Sequence, residues 1–177
     1  MAKHVRLSVG LGAALVTAVV TVLAFNSARI RKESSKEEFC RNQLRSLACA
    51  IDFYRQKYGC FPRNLTGTGS GSMTGILVAP EWFLICPGTG RKVSHAATLG
   101  AEDIDYIYID WSRWFRSGND VPQDCPLVYD RRLSNHAGRG INVVAVDKHA
   151  FWDRDAVWIR NFANKHPEYT IRLPEDR

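Results

Sequence analysis

The stretch Ser34–Pro62, SSKEEFCRNQLRSLACAIDFYRQKYGCFP, decides how the rest of the chain is read. Leu44, Leu47, Ala48, Ile51, Tyr54 and Tyr58 recur at steps of three and four, which puts them on one apolar face of an amphipathic helix. Gln43 is off this stripe and is expected at the surface. Ser34 with Glu37 and Ser35 with Glu38 form two overlapping capping boxes, so the helix either starts there or runs in from upstream. Gly59 is placed as a C-terminal cap and Pro62 forbids continuation. The helix is therefore predicted to end near Tyr58, with Leu44, Leu47, Ala48, Ile51 and Tyr54 as its packing face.

Upstream lies LSVGLGAALVTAVVTVLAF, Leu7–Phe25, nineteen residues without a charge. At 1.5 Å per residue, about 19 residues cross a hydrocarbon core of ~30 Å. The run exceeds the apolar core of a usual secretory signal, and the AFNSA that follows places Asn26 where a cleavage site wants a small residue. The expected organisation is a basic N-terminal segment (1–6), a transmembrane helix (7–25) and one globular domain (26–177). Orientation is read two ways. Arg29, Arg31, Lys32 and Lys36 after the run favour a cytoplasmic C-terminal part by charge alone. Cysteines in turn-like contexts favour an oxidising compartment. Basic residues on a helix stem at the lipid surface meet anionic headgroups, so we expect a single-pass protein with its C-terminal domain outside the cytoplasm.

Downstream, the segment TGTGSGSMTG (66–75) is a Gly/Ser/Thr loop without a phosphate-loop lysine. IDYIYIDW (104–111) alternates as a strand: Ile104, Tyr106, Tyr108 and Asp110 on one face, Asp105, Ile107, Ile109 and Trp111 on the other. PLVYDRR, INVVAVD and AFWD add three short strands, the last two joined by a tight polar turn. The segment from Asp153 to Tyr169 reads as a short terminal helix, capped by Asp153 or Asp155 and ended by Pro167. Helix first and strands after predict an α+β fold, the amphipathic helix packed on a small antiparallel sheet.

The 177 residues suit one domain. The net charge of +6 is scattered among acids, without the continuous basic stripe or signature motif of a nucleic-acid binder. Five cysteines, Cys40, Cys49, Cys60, Cys86 and Cys125, include no CxxC, which excludes a zinc knuckle or thioredoxin-like motif. Cys40 and Cys49 are nine residues apart on the helix; at about 100° per residue they sit on opposite faces and cannot pair. Cys60, Cys86 and Cys125 are the disulfide candidates, Cys86–Cys125 first among the pairings.

One further stretch, HAGRGINVVAVDKHAFWD (136–153), carries ligand-type residues. Asp147 and His149 share a strand face if the strand is regular, and His136 can fold back towards them. Three such ligands with open positions describe a zinc or iron site. The plainer reading is a hairpin in which Asp147 bonds its own backbone at the bend. No G-x-S-x-G elbow and no converging acid, base and nucleophile are present, so enzymatic activity is not expected.

Taken in order, an apolar N-terminal helix, LRSLACAIDFYRQKYGCFPRNL, a CP segment, DYIYID and SNHAGRGINVVAVDKHAFW resemble the type IV pilin and type II secretion pseudopilin superfamily. The resemblance is nearest to the pseudopilin-G-like proteins of planctomycetes and verrucomicrobia, through Tyr58, Gly59, Phe61, Pro62 and Leu65, then His136, Gly138, Asn142, Val143, Asp147 and His149. It covers residues 7–152. It implies a membrane-anchored structural or assembly protein whose partners are the membrane and other pilin-like or secretion-system subunits, with no nucleic acid. It also brings in calcium, bound by the G-type proteins in a C-terminal loop, with no ligand set that maps onto this sequence. No cofactor is expected. The family's processing glycine is followed at the fifth position by Glu; here Leu15 follows Gly10 and Thr17 follows Gly12 at that spacing. The expectation is a pilin-type fold kept as a simple anchored domain.

Overall fold

The computed structural model describes the backbone of residues 2–65, 81–91 and 104–176. Side chains are described for 21–65, 83–91 and 104–176. The expected 66–75 loop lies outside the described residues, as do the side chains of most of the 7–25 run. Among the described residues no helix is long and apolar enough to cross a membrane. The chain divides into two compact units, Met1–Ser35 and Lys36–Arg177.

The fold is α+β. Helix α1 spans Ala2–Tyr58 without interruption, so neither capping box at Ser34 or Ser35 starts it. Its end is where the sequence places it: Gly59 adopts φ +71° and donates its N–H to the Arg55 carbonyl at 2.8 Å, a left-handed cap that glycine supplies without steric cost. Four antiparallel strands follow as a meander, β1 (Tyr106–Tyr108), β2 (Pro126–Asp130), β3 (Gly140–Ala145) and β4 (Ala150–Arg154). Helix α2 (Val157–Lys165) closes the chain. The Asp153 carboxylate accepts the N–H groups of Trp158 (2.9 Å) and Ile159 (3.0 Å), which caps α2 from the preceding strand.

In the second unit, the α1 stripe forms the core. Leu44, Leu47, Ala48 and Ile51 have no exposure and Tyr54 is buried. Each aliphatic side chain of Leu or Ile size so buried contributes roughly 1.5–3 kcal/mol. Two positions depart from the stripe read in the sequence. Tyr58 is half exposed, because it is the last helical residue and lies past the end of the packed face. Gln43, expected at the surface, is buried; its amide donates to the Ile85 carbonyl at 3.1 Å and to the Phe83 carbonyl. The loop before β1 covers it, and two backbone acceptors satisfy the amide there.

Strand β1 is shorter than the eight residues of alternation, only Tyr106–Tyr108. Asp110 takes the Ser112 N–H and caps a 3-10 turn at Trp111–Arg113, which ends the extended run. Strands β2 and β3 are buried at every position. Both sheet faces are covered, which is why INVVAV is apolar on both faces apart from Asn142. On one face lie Tyr106 and Asp130, which pair across β1 and β2, and Asn142 and Trp152, which pair across β3 and β4. On the other, Ile107, Tyr129, Val143 and Phe151 form a row. That row meets α2 and the tail: Phe151 packs edge-on against Trp158, and the Tyr129 hydroxyl donates to the Arg172 carbonyl.

Candidate functional site

The polar row on the α1 side of the sheet is where ligand-type residues converge. Cys40 is four residues ahead of Leu44, on the inner stripe of α1, with no exposure. Its thiol donates to Asp130 Oδ1 at 3.3 Å and is 3.5 Å from the Tyr106 hydroxyl. Asp130 ends β2 and is fully buried. Its Oδ2 accepts the Asn142 N–H at 2.7 Å and the Asn142 amide at 3.2 Å, and meets His136 Nε2 at 3.1 Å. Arg41 Nε donates to Asn142 Oδ1 at 3.4 Å, which turns the Asn142 amide nitrogen inwards to the carboxylate.

Cys86 comes from the loop before β1. Its Sγ is 3.4 Å from Cys40 Sγ and 3.4 Å from His136 Nε2. The Cys86-Pro-Gly-Thr-Gly turn folds back on the sulfur, and the Gly88 N–H donates to it at 3.3 Å. Gly88 is required by space: a Cβ there would sit 2.0 Å from the Asn135 carbonyl oxygen and 3.1 Å from His136 Cε1. Asp105, fully buried, clamps this turn to β1. It accepts the Cys86 N–H at 3.0 Å and Thr89 Oγ1 at 3.4 Å, and pairs with Arg91 at 2.9 Å. His136 ends a 3-10 turn between β2 and β3, and its ring packs edge-on against Trp152 at 5.5 Å.

The donor atoms of Cys40, Cys86, Asp130 and His136 all lie within 4.8 Å of one another. No described buried side-chain nitrogen or oxygen lacks a hydrogen-bond partner. Burial pushes the Cys40 thiol well above the usual thiol range. The hydrogen bond with Cys40 pulls Cys86 below it, against the cost of burial. Burial alone would lower His136, but its hydrogen bonds with Asp130 and Cys86 win and raise it to about 10. Two thiols, an imidazole and a carboxylate in this arrangement are the donor set of a soft divalent cation.

The His136, Asp147 and His149 triad, the alternative to a plain hairpin, does not form. Asp147 and His149 are exposed at the β3–β4 turn. Asp147 Oδ1 accepts the His149 N–H at 2.7 Å, and Lys148 holds φ +70°, so turn chemistry uses both residues. Only His136 enters a ligand cluster, and it does so on the other side of β3. The Cys86–Cys125 pairing is corrected as well. All five cysteines are free thiols. Cys86 faces Cys40, while Cys125 is buried beside the start of β2, where burial raises its thiol to about 12. Cys60 is half-buried and Cys49 exposed. Cys40 had a sequence signal, since its spacing from Leu44 places it on the stripe. Asp130 and Cys86 had none, because a strand register and a loop clamp bring them in.

No family model, no curated protein and no solved structure matches this chain.

Proposed function

We propose that this chain is a membrane-anchored, pilin-like structural or assembly protein with its α+β domain outside the cytoplasm. One observation carries the reading. The described part of α1 in the first unit displays Val22, Leu23, Phe25 and Ile30 at 58, 60, 72 and 63% exposure. A helix with such side chains outward gains nothing from water. Lipid, or the stems of neighbouring subunits, supplies the apolar surroundings they lack. The apolar run 7–25 continues this stem towards the N-terminus, and the four-stranded meander packed on the other half of α1 fits the resemblance drawn from the sequence. The role is mechanical: the stem anchors and associates, the domain presents a surface.

The test is fractionation of cells expressing the full chain. It stays in the membrane pellet after alkaline extraction, and a photo-crosslinker at Phe25 or Ile30 yields dimers or larger ladders. A reporter fused after Arg177 is active only if it works outside the cytoplasm. Release by alkali, or activity of a cytoplasm-dependent reporter alone, overturns the reading.

A further inference from the structure

We propose that Cys40, Cys86, Asp130 and His136 hold one structural Zn²⁺ in tetrahedral coordination, through both sulfurs, one carboxylate oxygen and Nε2. This goes beyond the membrane reading and does not depend on it.

Geometry comes first. With ligand bonds of ~2.0–2.3 Å, a tetrahedral zinc site sets its donors about 3.3–3.8 Å apart. Four of the six separations are 3.4 Å for Cys40 to Cys86, 3.4 Å for Cys86 to His136, 3.1 Å for His136 to Asp130 Oδ2 and 3.3 Å for Cys40 to Asp130 Oδ1, and the four ligand atoms all lie within 4.8 Å of one another. The Asp130 carboxylate faces Cys40 with Oδ1 and His136 with Oδ2; zinc binding selects one of these oxygens and draws the four donors to tetrahedral spacing. The residues come from four places: α1, the loop before β1, the end of β2 and the turn before β3. An ion there ties the amphipathic helix to the sheet.

Donor chemistry selects the metal. Calcium and magnesium want six or more oxygen ligands, and one carboxylate cannot supply them. Thiolate with imidazole selects zinc among the common divalent ions. All four ligands are buried, with His136 the most exposed at 1%, so no position is left open to water and the site is structural rather than catalytic. The supporting contacts are those that zinc ligands use. The Gly88 N–H donates to Cys86 Sγ, and the Asn142 N–H and amide hold the carboxylate. Two thiols are a poor choice for hydrogen bonding alone, since S–H is a weak donor and sulfur a weak acceptor. On binding, the protons held by the two sulfurs and by His136 Nε2 are released to solvent, so that Nε2 of a neutral imidazole ligates, with no change of oxidation state. Two thiolates and a carboxylate leave the loaded site with one net negative charge, which Arg41 faces through Asn142.

The experiment uses the full chain purified in detergent without chelator. Metal analysis is expected to give one zinc per chain. Cobalt added to the stripped protein is expected to give the intense red-region d–d bands of a tetrahedral site and a near-ultraviolet thiolate charge-transfer band. Cys40→Ser, Asp130→Asn and His136→Gln each weaken zinc binding by ~100-fold or more, while the double variant Asp147→Ala/His149→Ala retains it. Metal analysis and the cobalt spectrum are read on the wild-type chain and need no variant to fold. Three outcomes overturn the proposal: a Cys40–Cys86 disulfide with no metal, reduced thiols that take up neither zinc nor cobalt, or zinc that survives Cys40→Ser and is lost in the Asp147/His149 variant.

Discussion

The β3–β4 turn and the buried cluster beneath α1 hold the same kinds of residue and differ in what surrounds them. At the turn, Asp147, Lys148 and His149 are consecutive and exposed, and their polar groups are spent on the backbone of the bend and on α1. In the cluster, Cys40, Cys86, Asp130 and His136 are spread over 97 positions of sequence, and their donor atoms lie within 4.8 Å. Nearness in sequence produced a turn; convergence in space produced a site. Water sets the difference. An exposed carboxylate at a bend is solvated and interchangeable, whereas a buried one must be matched by donors on every side.

The sharpest way to break this comparison is Asp130→Ala. It removes the acceptor of the Cys40 thiol, the Asn142 N–H and amide, and His136 at once. Losing one partner of a buried, charge-paired network costs about 3–5 kcal/mol. Denaturant titration of the full chain with chelator present, so that metal contributes nothing, is expected to show that loss. A cost below that of an ordinary surface substitution would mean the cluster is not held as described.

Next is the helix face that carries Cys40. Leu47→Ala is expected to cost ~2–5 kcal/mol through lost burial and the cavity left behind. Gln43→Ala is no neutral control: it removes a buried amide donor from the Phe83 and Ile85 carbonyls, at about 1–3 kcal/mol. Equal melting of Gln43→Ala and wild type would remove the loop from the helix.

A smaller effect tests how the turn docks. Lys148 Nζ pairs with Asp52 of α1 at 2.7 Å, beside Arg55 at 2.6 Å. Burial alone would raise Asp52, but hydrogen bonds from Lys148 and Arg55 bring it below the usual carboxylate range. A depressed carboxylate stabilises the fold above its unfolded value, near 3.8, and that stability is lost as pH falls through the lower folded value. With Lys148 largely exposed and screened, the loss is about 1 kcal/mol. Asp52→Asn should therefore flatten the acid limb of a stability–pH curve below about pH 4 and leave its shape at neutral pH unchanged. An unaltered acid limb would show that the ion pair does not form.

The smallest effect belongs to His149→Ala, expected within about 0.5 kcal/mol of wild type as at most surface sites. A larger shift, seen by the same denaturant titration, would give the turn a role that its exposure does not.

Local sequence carried the helix and its end. Spacing of Leu44, Leu47, Ala48 and Ile51 defined the buried face, and Gly59 with Pro62 defined the stop, because caps and periodicity act within a few residues. The order of helix, then strands, then short helix was legible for the same reason, and so was the exposed bend at Asp147. The burial of Gln43, the shortness of β1 and the membership of the cluster were not. Gln43 looks solvent-facing until the loop before β1 folds over it. IDYIYIDW alternates over eight residues, but only three find strand pairing. His136 was singled out from sequence, but the alternative that made it a ligand joined it to Asp147 and His149. Asp130 meets it through the register of β2 on β1 and β3, and Cys86 through the clamp of Asp105, which closes a contact 50 positions apart. Local periodicity sets which way a side chain faces. Which other side chain it meets depends on strand register and loop closure, and those are fixed only when the sheet and α1 bury each other.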